Sequence, residues 1–152
     1  METLSSNLPV IMCIGTDVVG GDCLGPMVGQ MLIERNLPAF VYGTLNNPIT
    51  ALNLTSYYAF IKENHSSTIV AVDSCVGKNV GNVYLNSGGI FPGAASGKNL
   101  PMVGDLSVTA VTCNYPPTDK RFFSVRLGFV YSLALKVADV IENLVLSKCR
   151  LS

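Results

Sequence analysis

Residues 10–14 (VIMCI) and 68–72 (TIVAV) are almost wholly apolar and lack the polar alternation of a strand with one wet face. Such strands are stable only when both faces are covered, which calls for a central sheet flanked by helices. The remaining periodicity agrees. Strand patterns are expected at 40–42, 83–85 and 107–113, and helices at 24–35, 49–63 and 122–147, with Pro26 near the first turn of the first helix. The Gly- and Pro-rich span 87–104 is too long for an ordinary connection and marks either a functional loop or a short helix. The expected fold class is α/β: a three-layer α/β/α sandwich with a mostly parallel sheet, forming a single domain over 9–150 behind an N-terminal tail at 1–8. Sites in such sheets lie beyond the carboxyl ends of the strands.

Only 13% of the 152 residues are charged, about half the ~25% of an ordinary soluble protein. Membrane insertion is nevertheless not expected, because the longest apolar stretch, 127–138, is interrupted by Gly128, Ser132 and Lys136, short of the roughly 20 residues needed. Glu2 stands where a secretory signal would carry basic residues. Ten cations balance ten anions without a basic cluster, so nucleic acid is not an expected partner. Cys13, Cys23, Cys75, Cys113 and Cys149 are odd in number and form no C-x-x-C pair, which suits buried thiols in a reducing cytoplasm better than disulfides or zinc. In the last helix, Ser132, Lys136, Asp139, Asn143 and Ser147 recur every three or four positions. They leave one narrow polar stripe on a largely apolar cylinder, so a homo-oligomer is a second expectation.

Two acids follow the apolar runs. Asp22 is delivered to the start of a helix by the loop Gly15-Thr16-Asp17-Val18-Val19-Gly20-Gly21, and Asp73 closes the 68–72 strand. Both are expected at the cleft end of the sheet. The loop is neither G-x-G-x-x-G nor G-K-[ST], and Asp17 and Asp22 would repel a phosphate; Gly15 and Gly21 serve the turn and, with Asp17, are candidates for a supporting role at the site. Two neighbouring carboxyls cannot both ionise cheaply; one keeps a proton while the other polarises a water. The same pair could instead hold a divalent cation through oxygen. Nickel and zinc favour imidazole or thiolate, yet the single histidine, His65, sits at the polar end of the second helix in a capping position. Asp105 enters the 107–113 strand at its amino end, either as a supporting acid brought back by the long loop or as a turn residue after Gly104. Cys23 and Cys75 flank the acids, but a nearby carboxylate suppresses a thiolate.

The run 14–29, with Ile14-Gly15-Thr16-Asp17 and Gly21-Asp22-Cys23-Leu24-Gly25-Pro26, resembles the signature of the YyaC family of sporulation proteins. The resemblance continues through Val41-Tyr42-Gly43-Thr44-Leu45, Ala71-Val72-Asp73-Ser74, Phe91-Pro92-Gly93-Ala94 and Val103-Gly104-Asp105-Leu106-Ser107. That family is similar to spore germination protease and to hydrogenase maturation proteases, which implies a phosphorylase/hydrolase-like α/β/α fold. Asp22 matches the acid of the first-strand loop in both protease groups, and Asp73 the acid of the later strand. In the germination protease the resemblance makes them a catalytic pair; in the maturation proteases they bind nickel with a histidine, which this sequence does not match. The resemblance implies a sporulating Firmicute and a protein or peptide substrate. The leading expectation is a cytoplasmic, aspartic-type endopeptidase using Asp22 and Asp73 without a cofactor. The alternatives are a non-catalytic sporulation factor that binds a peptide or partner in the same cleft and, more weakly, a divalent-metal hydrolase.

Overall fold

The computed structural model describes residues 7–93 and 99–150. Most of the expected N-terminal tail, residues 1–6, lies outside them, as do residues 94–98 of the long loop with Ala94 of the family signature. Five strands form one sheet in the order β2-β1-β3-β5-β4: β1 (Val10–Cys13), β2 (Phe40–Tyr42), β3 (Ile69–Val76), β4 (Val83–Ser87) and β5 (Leu106–Cys113). All neighbours are parallel except β4, which runs antiparallel to β5 at the edge. Helices α1 (Leu24–Glu34) and α3 (Leu127–Arg150) cover one face, and α2 (Leu54–Asn64) covers the other.

The unalternated strands are buried on both sides, as their sequence requires. In β3, Val70 and Val72 enter the core under α1 and α3, whereas Ile69 and Ala71 join Leu54 and Ile61 of α2. Each fully buried Leu or Ile of these layers stabilises the fold by about 1.5–3 kcal/mol relative to exposure. Helix α1 ends where Asn36 adopts a left-handed φ of 54°, a conformation Asn tolerates just past a helix. Arg35 then bridges to Asp139 at 2.8 Å and Glu142 at 2.7 Å, tying α1 to α3.

Three of the boundaries that differ from the sequence reading have a visible local cause. The second helix begins at Leu54, not at 49, because Asn53 accepts from Thr50 N (2.8 Å) and donates to Pro48 O (3.1 Å), fixing a turn ahead of the helix. Ile49 instead makes a parallel bridge to Ile14. The last helix begins at Leu127: Lys120–Ser124 is a 3₁₀ turn capped by Asp119, and extended Val125 separates it from α3. Asp73 does not close its strand, since β3 continues to Val76 paired with β5. In the long loop, Ile90 and Val103 pair antiparallel, and no helix occurs among the described residues.

Candidate functional site

Parallel strands of unequal length create the site. Strand β1 pairs with β3 only as far as Cys13 opposite Val72, and Ile14 N then donates to Val72 O before the chain peels away. From Asp73 onward β3 is therefore flanked by β5 alone, leaving its β1 side open. Into that gap the 15–22 loop brings Asp22, which lies in a 3₁₀ turn, Gly21–Cys23, leading directly into α1. Gly15 makes the turn possible: its φ of 149° lies where side chains rarely go, and a Cβ there would collide with the Asp22 carbonyl. Thr16 N donates to that same carbonyl at 3.1 Å, fixing the loop's far end.

Asp22 and Asp73 consequently line one cavity of about 520 Å³ at the carboxyl end of the sheet. Ser74 joins them. Alternation turns it to the α1 face, where its hydroxyl donates to Asp22 Oδ1 over a long 3.4 Å, while its backbone N–H donates to Asp73 Oδ1 at 2.8 Å. Burial pushes the Asp73 carboxyl well above the ordinary carboxylate range, the Asp22 charge pushes it further, and the Ser74 N–H opposes both. The lining includes the apolar side chains of Leu52, Phe91, Leu100 and Phe122, together with Cys75 and Thr112. Leu52 is 98% and Phe91 64% exposed, so two large apolar side chains stand at the mouth.

The other residues singled out in the sequence fall elsewhere. Gly15 lines the cavity; Gly21 lies just behind it, where a Cβ would stand 3.2 Å from Thr112 Oγ1. Asp17 is exposed on the loop and outside the cavity wall. Asp105 is at the opposite, amino end of β3, where its Oδ2 accepts from Ile69 N at 2.8 Å and its own N–H donates to Ile69 O; there it orders the start of the strand. His65 occupies the C-cap of α2, but its ring bonds Tyr42 Oη at 2.7 Å and stacks on Phe40, away from both aspartates.

Cys13, Cys23 and Cys113 are buried, as expected for most of the thiols, whereas Cys75 is half-buried in the cavity wall and Cys149 is exposed near the end of α3. Burial and then the Asp73 charge push the Cys75 thiol up, although a Thr109 hydrogen bond opposes them. The Cys23 thiol is raised by burial and by Asp17. Neither is disposed to be a thiolate nucleophile. Nickel or zinc also finds a poor donor set: the cavity contains no imidazole, and among the described residues no three His, Cys, Asp or Glu side chains converge. Sequence reasoning missed Ser74, Thr112, Leu52 and Phe91. Period-two alternation after Asp73 could have indicated Ser74; the others meet through tertiary structure alone.

A family model described as "Protein of unknown function (DUF1256)" matches residues 1–141. The "Uncharacterized protein YyaC" of Bacillus subtilis (strain 168) is 42% identical over 136 residues, covering 86% of this chain and 66% of that protein, so the chain spans just under two thirds of that relative's length. Among solved structures, a [NiFe] hydrogenase maturation protease, HycI from Thermococcus kodakarensis, superposes with a TM-score of 0.53 at 17% identity, covering 91% of this chain and 92% of its own. A hydrogenase 2 maturation peptidase from a Thaumarchaeota archaeon gives 0.55 at 14% identity, covering 89% and 96%. At these identities the likeness is one of fold.

Proposed function

Since the chain belongs to the DUF1256 family, that of YyaC, we propose that it is a peptidase-like hydrolase in which Asp22 and Asp73 share a proton and activate water. The observation that carries this reading is a pair of acids in one apolar-walled cavity, with Asp73 pushed toward its protonated form partly by Asp22. The fold shared with maturation proteases supports a protein or peptide substrate. The 42% identity to YyaC of Bacillus subtilis supports a Firmicute source; a sporulation role and a cytoplasmic location are part of the proposal. The apolar surface left on α3 supports a homo-oligomer.

In this mechanism the Asp22 carboxylate takes a proton from water as the water oxygen bonds to the scissile carbonyl carbon, and Asp73 gives its proton to the carbonyl oxygen. Collapse of the tetrahedral species breaks the C–N bond. Asp22 then passes its proton to the departing nitrogen, and the oxygen returns a proton to Asp73. Ser74 is a positioning residue: its hydroxyl orients Asp22 while its N–H holds Asp73. Phe91 and Leu52, exposed at the mouth, offer apolar contact to a side chain of the peptide.

Cleavage of small spore proteins by wild type and Asp22→Asn tests the mechanism. Wild type should cleave, and the variant should lose roughly 10²–10⁴-fold in kcat, the usual contribution of a positioned acid–base group. Equal rates would sink the dyad, and no cleavage by either would favour a factor that only binds its partner in the cleft.

A further inference from the structure

A second groove adjoins the carboxylate cavity, and we propose that it binds an acidic segment of a peptide; the identity of the ligand as a peptide rests on the hydrolase reading above. The groove encloses about 560 Å³ and has Thr112 in common with the cavity lining, so the two lie side by side. Its charge is opposite. Among the described residues, the acids Asp22 and Asp73 line the cavity, whereas the bases Arg121 and Arg126 line the groove, beside Asn114 and Tyr115. In a chain of zero net charge, acids thus stand on one side of Thr112 and arginines on the other.

The two arginines differ in how they are held. Arg121 is paired to Asp119 at 2.7 Å and lies 4.0 Å above the Tyr115 ring, which fixes its plane. Arg126 makes no side-chain hydrogen bond or ion pair among the described residues, and it immediately precedes α3, whose first-turn N–H groups add partial positive charge. A guanidinium in that position matches a carboxylate in bidentate fashion. Val80 and Phe129 offer apolar contact to the methylenes of a glutamate stem.

Calorimetric titration of the full chain tests the assignment with three probes: an end-blocked tetraglutamate, an end-blocked tetraglutamine and inorganic phosphate. Tetraglutamate should bind and tetraglutamine should not. Arg126→Gln should weaken tetraglutamate by roughly three- to tenfold, the range of a partly exposed charge-assisted contact, and Arg126→Lys should recover part of the loss. The side chain is exposed, so an unchanged melting temperature should accompany Arg126→Gln. Equal binding of the two peptides, or no effect of Arg126→Gln, overturns the site. Phosphate binding as tightly as tetraglutamate overturns its assignment to a peptide carboxylate. If tetraglutamate binds through Arg126 while no peptide is cleaved by wild type, the groove stands and the hydrolase reading falls.

Discussion

Asp73 illustrates how a single side chain can be kept at the expense of the fold. Its carboxyl has little water, a neighbouring negative charge and one compensating N–H, so its ionised form is disfavoured in the folded protein relative to the unfolded chain. Linkage sets the sign: the folded state binds the proton more tightly, so stability is lost as pH rises from the ordinary carboxylate range through the raised pKa of Asp73. Asp73→Asn should therefore melt higher than wild type at pH 8, with the gap closing near pH 3, where both side chains are neutral; thermal unfolding followed by circular dichroism across that range checks it. A variant less stable than wild type at pH 8 would mean that Asp73 is a paired structural anion. The sequence pattern already placed both acids at the cleft end of the sheet. Period-two alternation fixes the face on which Ser74 lies, but its place beside Asp22 depends on β3 outrunning β1, a difference in strand length that the pattern does not encode.

At the scale of elements, the position of Asp22 depends on how closely α1 approaches the strand ends. Gly25 and Gly29 lie one turn apart on α1, and a Cβ on either would collide with backbone, the Ile14 carbonyl and the Gly43 carbonyl respectively. Gly29→Ala gains about 1 kcal/mol of helix propensity, but the backbone contact must open, and overpacking costs about 1–3 kcal/mol or more. The clash should win, lowering stability by about 2 kcal/mol in urea unfolding. Gly128→Ala is the contrasting case, with nothing near the added carbon on α3, and should be neutral or gain up to ~1 kcal/mol. If both glycines tolerate alanine equally, close approach does not set the α1 position. The strand cores were legible for a related reason: VIMC and IVAV are apolar because both faces are covered. Helix starts were less so. Asn53 and Val125 interrupt apolar periodicity through local hydrogen bonding and an extended backbone, which hydrophobic spacing does not register.

The whole molecule leaves a number of large apolar side chains exposed, and a regularly spaced row of them lies on α3. Val130, Leu133, Val137, Ile141 and Val145 face the sheet and are buried. Leu127, Tyr131 and Leu135, spaced by one turn, remain 60%, 52% and 36% exposed, with Phe123 beside them in sequence at 60%. The expected polar stripe does little to wet the helix, since the Ser132 and Ser147 hydroxyls bond back to the carbonyls of Gly128 and Asn143. No helix among the described residues is long and apolar enough to cross a membrane, so a lipid-spanning role does not account for this stripe. Covering it with a second copy would recover up to about 1.5–3 kcal/mol for each large side chain fully buried, and a self-complementary helix face suits a two-fold interface. Sedimentation velocity should accordingly show wild type as a dimer, and the double variant Leu127→Glu with Tyr131→Glu as a monomer with unchanged secondary structure. A wild-type monomer at high micromolar concentration would refute self-association. So would a double variant that still sediments as a dimer, because the interface would then lie on another face.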